Sequence, residues 1–208
     1  MSDGPVESSR SDPAGRRREI LDAAARIFRD KGYAATSIQD VAQAVDILKG
    51  SLYYYIDSKD DLLFEVIQEV HQDGLANLAE AKKVSGSALE KIHSFVVRHA
   101  SFNAGNLAQM TVFFQDFKSL SDERHKLIVE ERDLYDEYLR GVIAAGKDEG
   151  SVRSSVDPKL AAFWILGGMN WMYQWYRADG PQSLDEITEA FAELAVNSVR
   201  DPGWQPDG

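Results

Sequence analysis

The chain has no cysteine among its 208 residues, which excludes disulfides and thiolate metal sites and fits a reducing interior. Long hydrophobic runs are missing too. No stretch approaches the roughly 18 uncharged apolar residues of a membrane-spanning helix. The opening MSDGPVESSRSDPAGRRR is polar and lacks the apolar centre of a secretory signal. The expectation is a soluble, cytoplasmic protein. Strict apolar alternation is absent, so no sheet is expected. His71, His93, His99 and His125 form neither HExxH nor an i, i+4 pair, and Gly167-Gly168 lies inside an apolar helix, not in a phosphate-cradling loop. No metal, no cofactor and no enzymatic activity are therefore expected. The acidic residues Glu130, Glu131, Asp133, Asp136 and Glu137 alternate with Leu127, Leu134 and Tyr138 on a long helix, and read as a solvated face.

Positive charge is scarce overall, at a net −11, which argues at first against nucleic acid. Its distribution changes that reading. Residues 1–62 hold 9 Lys/Arg against 11 Asp/Glu, a balance of −2, so the remainder carries −9. Arg10, Arg16, Arg17 and Arg18 cluster before the first helix, where a basic arm can reach phosphates while the acidic body faces away. A solvated tail is the other reading of the same residues.

What is present is helical periodicity. Ile20, Leu21, Ala24, Ile27 and Phe28 make one apolar stripe that Gly32 ends. Ser37 with Asp40, Ser58 with Asp61, Ser87 with Glu90 and Ser183 with Glu186 have the spacing of capping boxes, and Asp157-Pro158 starts a further helix. Helices are predicted at about 15–31, 37–44, 48–55, 58–82, 87–104, 106–118, 121–149, 157–178 and 184–200. The fold class is all-α. Its parts are a disordered arm at 1–15, a three-helix helix-turn-helix domain at 16–60, a larger helical domain at 61–200 and a tail at 201–208.

The segment Thr36–Leu63, TSIQDVAQAVDILKGSLYYYIDSKDDLL, carries the functional signal. A short helix bearing Ile38, Val41, Ala42 and Val45 is followed by a tight turn and a second short helix with Leu52 inward. Small Ala42 permits the close approach that a helix-turn-helix requires. Lys49, Gly50, Ser51, Tyr53, Tyr54 and Tyr55 would then be exposed to varying degrees. A lysine, hydroxyls and backbone uncovered by Gly50 suit phosphates and base edges. Lys59 adds charge at a helix N-terminus as a second phosphate clamp. A purely structural helical scaffold is the rival reading; it leaves the Lys49–Tyr55 surface without a role.

Residues 16–65, with RRREILDAAARIFRDKGYAATSIQDVA, KGSLYYY and SKDDLL, resemble the tetracycline-repressor-like (TetR) family. Two positions depart from the family pattern. Asp46 stands where the turn usually has Gly, and Asp tolerates the left-handed region better than most residues. Leu48 stands where Ser or Thr usually caps the recognition helix; that loses a cap worth roughly 1 kcal/mol and suggests that Leu48 packs instead. Ile56 replaces a common Phe. The resemblance implies a sequence-specific regulator, most often a repressor, whose DNA-binding residues are Ser37, Lys49, Gly50, Ser51, Tyr53, Tyr54 and Lys59. It also implies a larger domain that dimerises and binds a small effector. A dimer requires a palindromic operator.

The apolar segment 160–178, LAAFWILGGMNWMYQWYRA, reads as a helix buried on all sides, one face inward and one against a partner subunit. With the stripe of the final helix it gives a dimer-interface set of Trp164, Gly168, Trp175, Ile187, Phe191, Leu194 and Ala195. Met110, Phe113, Phe114 and Phe117 recur at helical spacing, as readily a core stripe as a pocket wall. With Trp171, and with Asn170 and Gln174, expected to be polar groups buried among tryptophans, they form the effector-binding set. The phrase QWYRADGP resembles a subgroup of actinobacterial regulators of lipid and steroid catabolism within the same family, which implies a hydrophobic or amphipathic effector of the acyl-CoA type. The long fourth helix is the expected lever between effector and recognition helix.

Overall fold

The computed structural model describes residues 13–205. Every regular element among them is helical; the one extended pairing is an isolated antiparallel bridge between Val152 and Arg200. The chain divides into two compact units, the first ending at Val66 and the second beginning at Ile67.

The first unit contains α1 (Pro13–Lys31), α2 (Ile38–Ala44), α3 (Lys49–Leu52) and the start of α4 (Lys59–Ala81). The stripe of α1 buries Ile20, Leu21, Ala24 and Phe28. Gly32 ends the helix at φ 85°, its N–H donating to the Phe28 carbonyl at 2.8 Å. Because α1 begins at Pro13, Arg16, Arg17 and Arg18 lie on the helix and not on an arm before it. Arg16 binds Glu19 and the Val45 carbonyl, and Arg17 pairs with Glu65 at 2.6 Å. These two arginines tie α1 to the end of α2 and to α4. Arg10 and the rest of the expected arm lie outside the described residues.

Ser37 caps α2 in a complete capping box with Asp40. Hydrogen bonds from Lys31 and Ser37 hold the Asp40 carboxyl well below its usual range. The turn into α3 passes through Asp46 at φ 53°, the left-handed conformation expected there. Val41, Ala42, Val45, Leu52 and Ile56 are buried between the short helices.

The second unit continues α4 and adds α5 (Ala88–Gly105), α6 (Leu107–Asp116), a 3-10 turn at Phe117–Ser119, α7 (Asp122–Asp148), α8 (Pro158–Asn170), α9 (Met172–Trp175) and α10 (Leu184–Val199). Ser87 and Ser183 form complete capping boxes, and Asp157 caps α8 ahead of Pro158. Phe95, Ile92, Leu139, Ile143, Met169 and Val199 are among the side chains of one shared core. Gly146 is buried where α7 approaches Val152 and α5. A Cβ there would stand 2.5 Å from Val152 and 2.8 Å from Ala88. The tail is tied down, with Arg153 N–H donating to Val199, Asp201 N–H to Ser151, and Trp204 packed on the core.

Two expectations need correction. The helix predicted over 157–178 breaks at Trp171, and α9 ends at Trp175. Asn103 Nδ2 donates to the Met169 carbonyl at 3.3 Å, a tertiary bond that competes with the helical ladder at the break. Nor is the segment buried on all sides: Leu160, Phe163, Trp164, Trp171 and Trp175 are exposed.

Candidate nucleic-acid interface and ligand cavity

The helix-turn-helix frame projects a small polar and aromatic surface. Lys49 and Gly50 are exposed, Ser51 is half-buried, and Tyr53 and Tyr54 are exposed, Tyr54 at 89 %. A Cβ added to Gly50 would meet nothing within 4 Å, and its backbone is not left-handed, so the fold itself does not demand glycine there. Ser37 is exposed, but its hydroxyl accepts from Asp40 N–H and donates to the Asp40 carboxylate. Lys59 lies over the Tyr33 ring at 4.3 Å and gives one N–H to the Ala34 carbonyl at 3.3 Å; an ammonium has further donors for a phosphate. The recognition helix is shorter than the predicted 48–55: α3 itself ends at Leu52, and single turns carry the chain to Ile56. Leu48 does not pack as expected. It is 79 % exposed, with no side-chain cap.

The body holds a cavity of about 530 Å³. Its wall includes Met110, Phe113, Phe114 and Asn170 of the expected effector set. Phe117, Trp171 and Gln174 lie off it: Phe117 stacks on His125, and Trp171 and Gln174 are exposed, which corrects the expectation of a buried Gln174. Sequence reasoning missed the polar part of the wall. His99 donates from Nε2 to Asn170 Oδ1 at 3.2 Å and stacks on Phe95, while His71 meets the Phe113 ring edge-on. Burial depresses both histidines to about 4, so both are neutral at pH 7. The available signal was a pair of polar residues, His99 and Asn103, on the buried stripe of α5. The acidic run of α7 is not wholly a solvated face either. Asp133, Asp136 and Glu137 border the cavity with Arg132, Arg140 and Lys159, and Arg140 pairs with Asp136 at 3.0 Å. Burial raises the Tyr135 hydroxyl at the same wall beyond its usual range, with Glu131 adding to the effect.

The dimer set divides. Trp164, Gly168, Trp175 and Leu194 are exposed and Phe191 is half-buried, along a shallow apolar groove of about 350 Å³ between α8 and α10 to which Trp164, Gly168, Phe191 and Leu194 contribute. Ring stacking between Trp175 and Phe191 extends this face. Ile187 turns the other way, into the chain's own core, because α10 has its wide apolar stripe against α5, and Ala195, buried in that core as well, borders the groove.

Among the described residues no group of His, Cys, Asp and Glu is arranged to hold a metal ion, and no helix is long and apolar enough to cross a membrane.

Two family descriptions match: "Bacterial regulatory proteins, tetR family" over residues 20–66 and "Tetracyclin repressor-like, C-terminal domain" over residues 85–199. The chain is 28% identical over 200 residues to the HTH-type transcriptional repressor KstR2 of Rhodococcus jostii (strain RHA1), covering 95% of this chain and 98% of that protein. Among solved structures it is similar to the TetR family regulator PfmR of Thermus thermophilus, with TM-score 0.79, 34% identity, and 86% and 97% of the two chains covered. It is also similar to AibR in complex with isovaleryl coenzyme A and operator DNA, with TM-score 0.78, 25% identity, and 86% and 97% covered. The N-terminal helix-turn-helix and the helical body are therefore the two halves of one known architecture, and the chain belongs to the TetR family of bacterial regulatory proteins.

Proposed function

We propose that the chain is a cytoplasmic, homodimeric transcriptional repressor, not an enzyme, that binds a palindromic operator and leaves it when an amphipathic effector of the acyl-CoA type enters the body. The observation that carries the DNA half is the surface Lys49, Gly50, Ser51, Tyr53 and Tyr54, presented on a frame whose buried apolar residues pack between the short helices. Tyr53 and Lys59 hold phosphate; Lys49, Ser51 and Tyr54 position or read bases. The repressor named among its relatives supports the direction of control.

The effector reading rests on the cavity. Its size suits a small molecule. Met110, Phe113 and Phe114 suit an acyl chain, and Arg132, Arg140 and Lys159 along the wall suit phosphate oxygens. AibR, a relative in fold, was solved with an acyl-coenzyme A and operator DNA together. Helix α4 begins in the DNA-binding unit with Lys59 and runs on into the body, where Val70 and His71 line the cavity. That continuity makes α4 the element through which a bound effector disfavours the operator-competent state. The coupling equals the difference in effector affinity between the two states, typically 1–3 kcal/mol.

Selection of binding sites from a random duplex pool tests the DNA half, and titration of the selected complex with acyl-CoA thioesters of graded chain length tests the effector half. The expected results are an enriched inverted repeat and saturable release by a thioester but not by free coenzyme A. A pool without enrichment defeats the first; a complex indifferent to every thioester defeats the second.

A further inference from the structure

Leu48 is costly where it stands. It precedes the recognition helix α3 with extended backbone, φ −69° and ψ 143°, and its side chain caps nothing. At 79 % exposure it packs on almost nothing. A serine or threonine at that place would satisfy a free N–H of the helix, and a buried leucine would add to the core. This leucine does neither. Single exposed leucines are ordinary on protein surfaces, but this one stands in a particular place. Gln39 and Gln43 of α2, together with Asp46, Ile47 and Lys49, form a shallow concavity around it. The bare backbone of Gly50 follows two residues later, with open space around its Cα.

We propose that Leu48 is a specificity-determining residue that reads the 5-methyl group of a thymine. The inference rests on the DNA-binding reading above. In a helix-turn-helix, the residues at the start of the recognition helix meet base edges in the major groove. The thymine methyl is the apolar feature of that groove, and an aliphatic side chain recognises it by contact and loss of water rather than by hydrogen bonding. Leu48 is the aliphatic group on this surface that neither caps nor packs. Lys49, Ser51 and Tyr54, given to base edges above, lie beside it in sequence. The leucine thus gives up local stability of the short helix for a contact made only when DNA is present.

The test uses the full chain and the operator obtained by pool selection. Each thymine of the half-site is replaced in turn by deoxyuridine, which removes the methyl and leaves base pairing intact. The wild-type protein is expected to lose about fourfold in affinity for each thymine replaced at one symmetry-related position, the usual worth of one buried methyl group. Leu48→Ala is expected to bind the thymine and deoxyuridine operators equally, with its unfolding midpoint unchanged. Leu48→Ser is expected to gain thermal stability through the restored cap while also losing methyl sensitivity, since serine carries no methyl to meet the thymine. A selected half-site without thymine, indifference of the wild type to every replacement, or undiminished methyl sensitivity in Leu48→Ala would each overturn the assignment of Leu48 while leaving the DNA-binding function standing. A pool without enrichment would instead remove both.

Discussion

The two units of this molecule leave different things on their surfaces. Among the described residues of the first unit the exposed large apolar or aromatic side chains are Leu48, Tyr53 and Tyr54, all within seven residues of one another around α3. In the body most of them are Leu160, Phe163, Trp164, Trp171, Trp175 and Leu194, spread over α8, α9 and α10, with Leu127 and Leu134 on α7. The first group is small and two of its members carry hydroxyls, as suits a groove lined with phosphates and base edges. The second is bulky and tryptophan-rich, as suits the desolvated centre of a protein interface. A monomer that exposes so many tryptophans together has one side of its core uncovered, and a second copy is the cover we propose. The comparison extends to two residue types. All the histidines and all the tryptophans belong to the body, at positions 71, 93, 99 and 125 and at 164, 171, 175 and 204.

That segregation gives the largest expected effect. His71 and His99 have folded values of about 4, below the 6.5 of an exposed histidine, so the unfolded chain takes up protons first. Their contribution is complete above pH 6.5 and is lost as pH falls towards 4. The loss is up to about 3 kcal/mol for each histidine. Glu131, raised by burial, works in the opposite sense over part of the range. Tryptophan fluorescence, which reports on the body alone, should show its unfolding midpoint fall through this window. His99→Gln should flatten the slope. A midpoint constant from pH 7 to 4.5 would show that these histidines are not held neutral.

The second effect concerns the apolar face. Trp164→Glu combined with Leu194→Glu should convert a dimer into a folded monomer, raising the dissociation constant roughly a thousand-fold, because two carboxylates per subunit lose water in the interface. Sedimentation velocity reads it, with circular dichroism to show that helicity persists. Ile187 and Ala195 belong to the core, so Ile187→Ala should lower the melting temperature before it changes association. The reverse pattern would place the interface elsewhere.

The division between local and long-range determinants explains what could be read from the sequence. Capping boxes at Ser37, Ser87 and Ser183, the left-handed Asp46 and the glycine stop at Gly32 are decided within four residues, and each is where the pattern put it. The exposure of Lys49, Gly50, Tyr53 and Tyr54 was legible for the same reason, since turn and short helix lie in one stretch. Leu48 was not: a broken cap predicts packing, and its exposure shows only once the neighbouring elements are placed. At the break at Trp171 the contact is long-range: Asn103, 66 residues away from Met169, donates to its carbonyl. The polar cavity wall depends on how α5, α7 and α8 face each other, so Gln174 was placed inside by a periodicity that the break had already ended.

A smaller effect is expected at Lys59. Removing its charge by Lys59→Ala should weaken binding to all DNA sequences by about tenfold and lower the slope of log affinity against log salt by about one. A change in sequence preference without a change in salt slope would reassign it to base reading. The smallest is at Asp46, where the left-handed backbone costs a side chain roughly 1 kcal/mol. Asp46→Gly should raise the melting temperature slightly, and Asp46→Val should lower it by more; the opposite order in a thermal melt would mean that the aspartate side chain itself holds the turn.

The central claim is that two copies of the chain act together on one two-fold site. Sedimentation of the complex with the selected operator tests it most directly. The account predicts two chains per inverted repeat, with half-sites about one helical turn or a multiple apart, and far weaker binding to a single half-site. One chain bound to a lone half-site with undiminished affinity would contradict it.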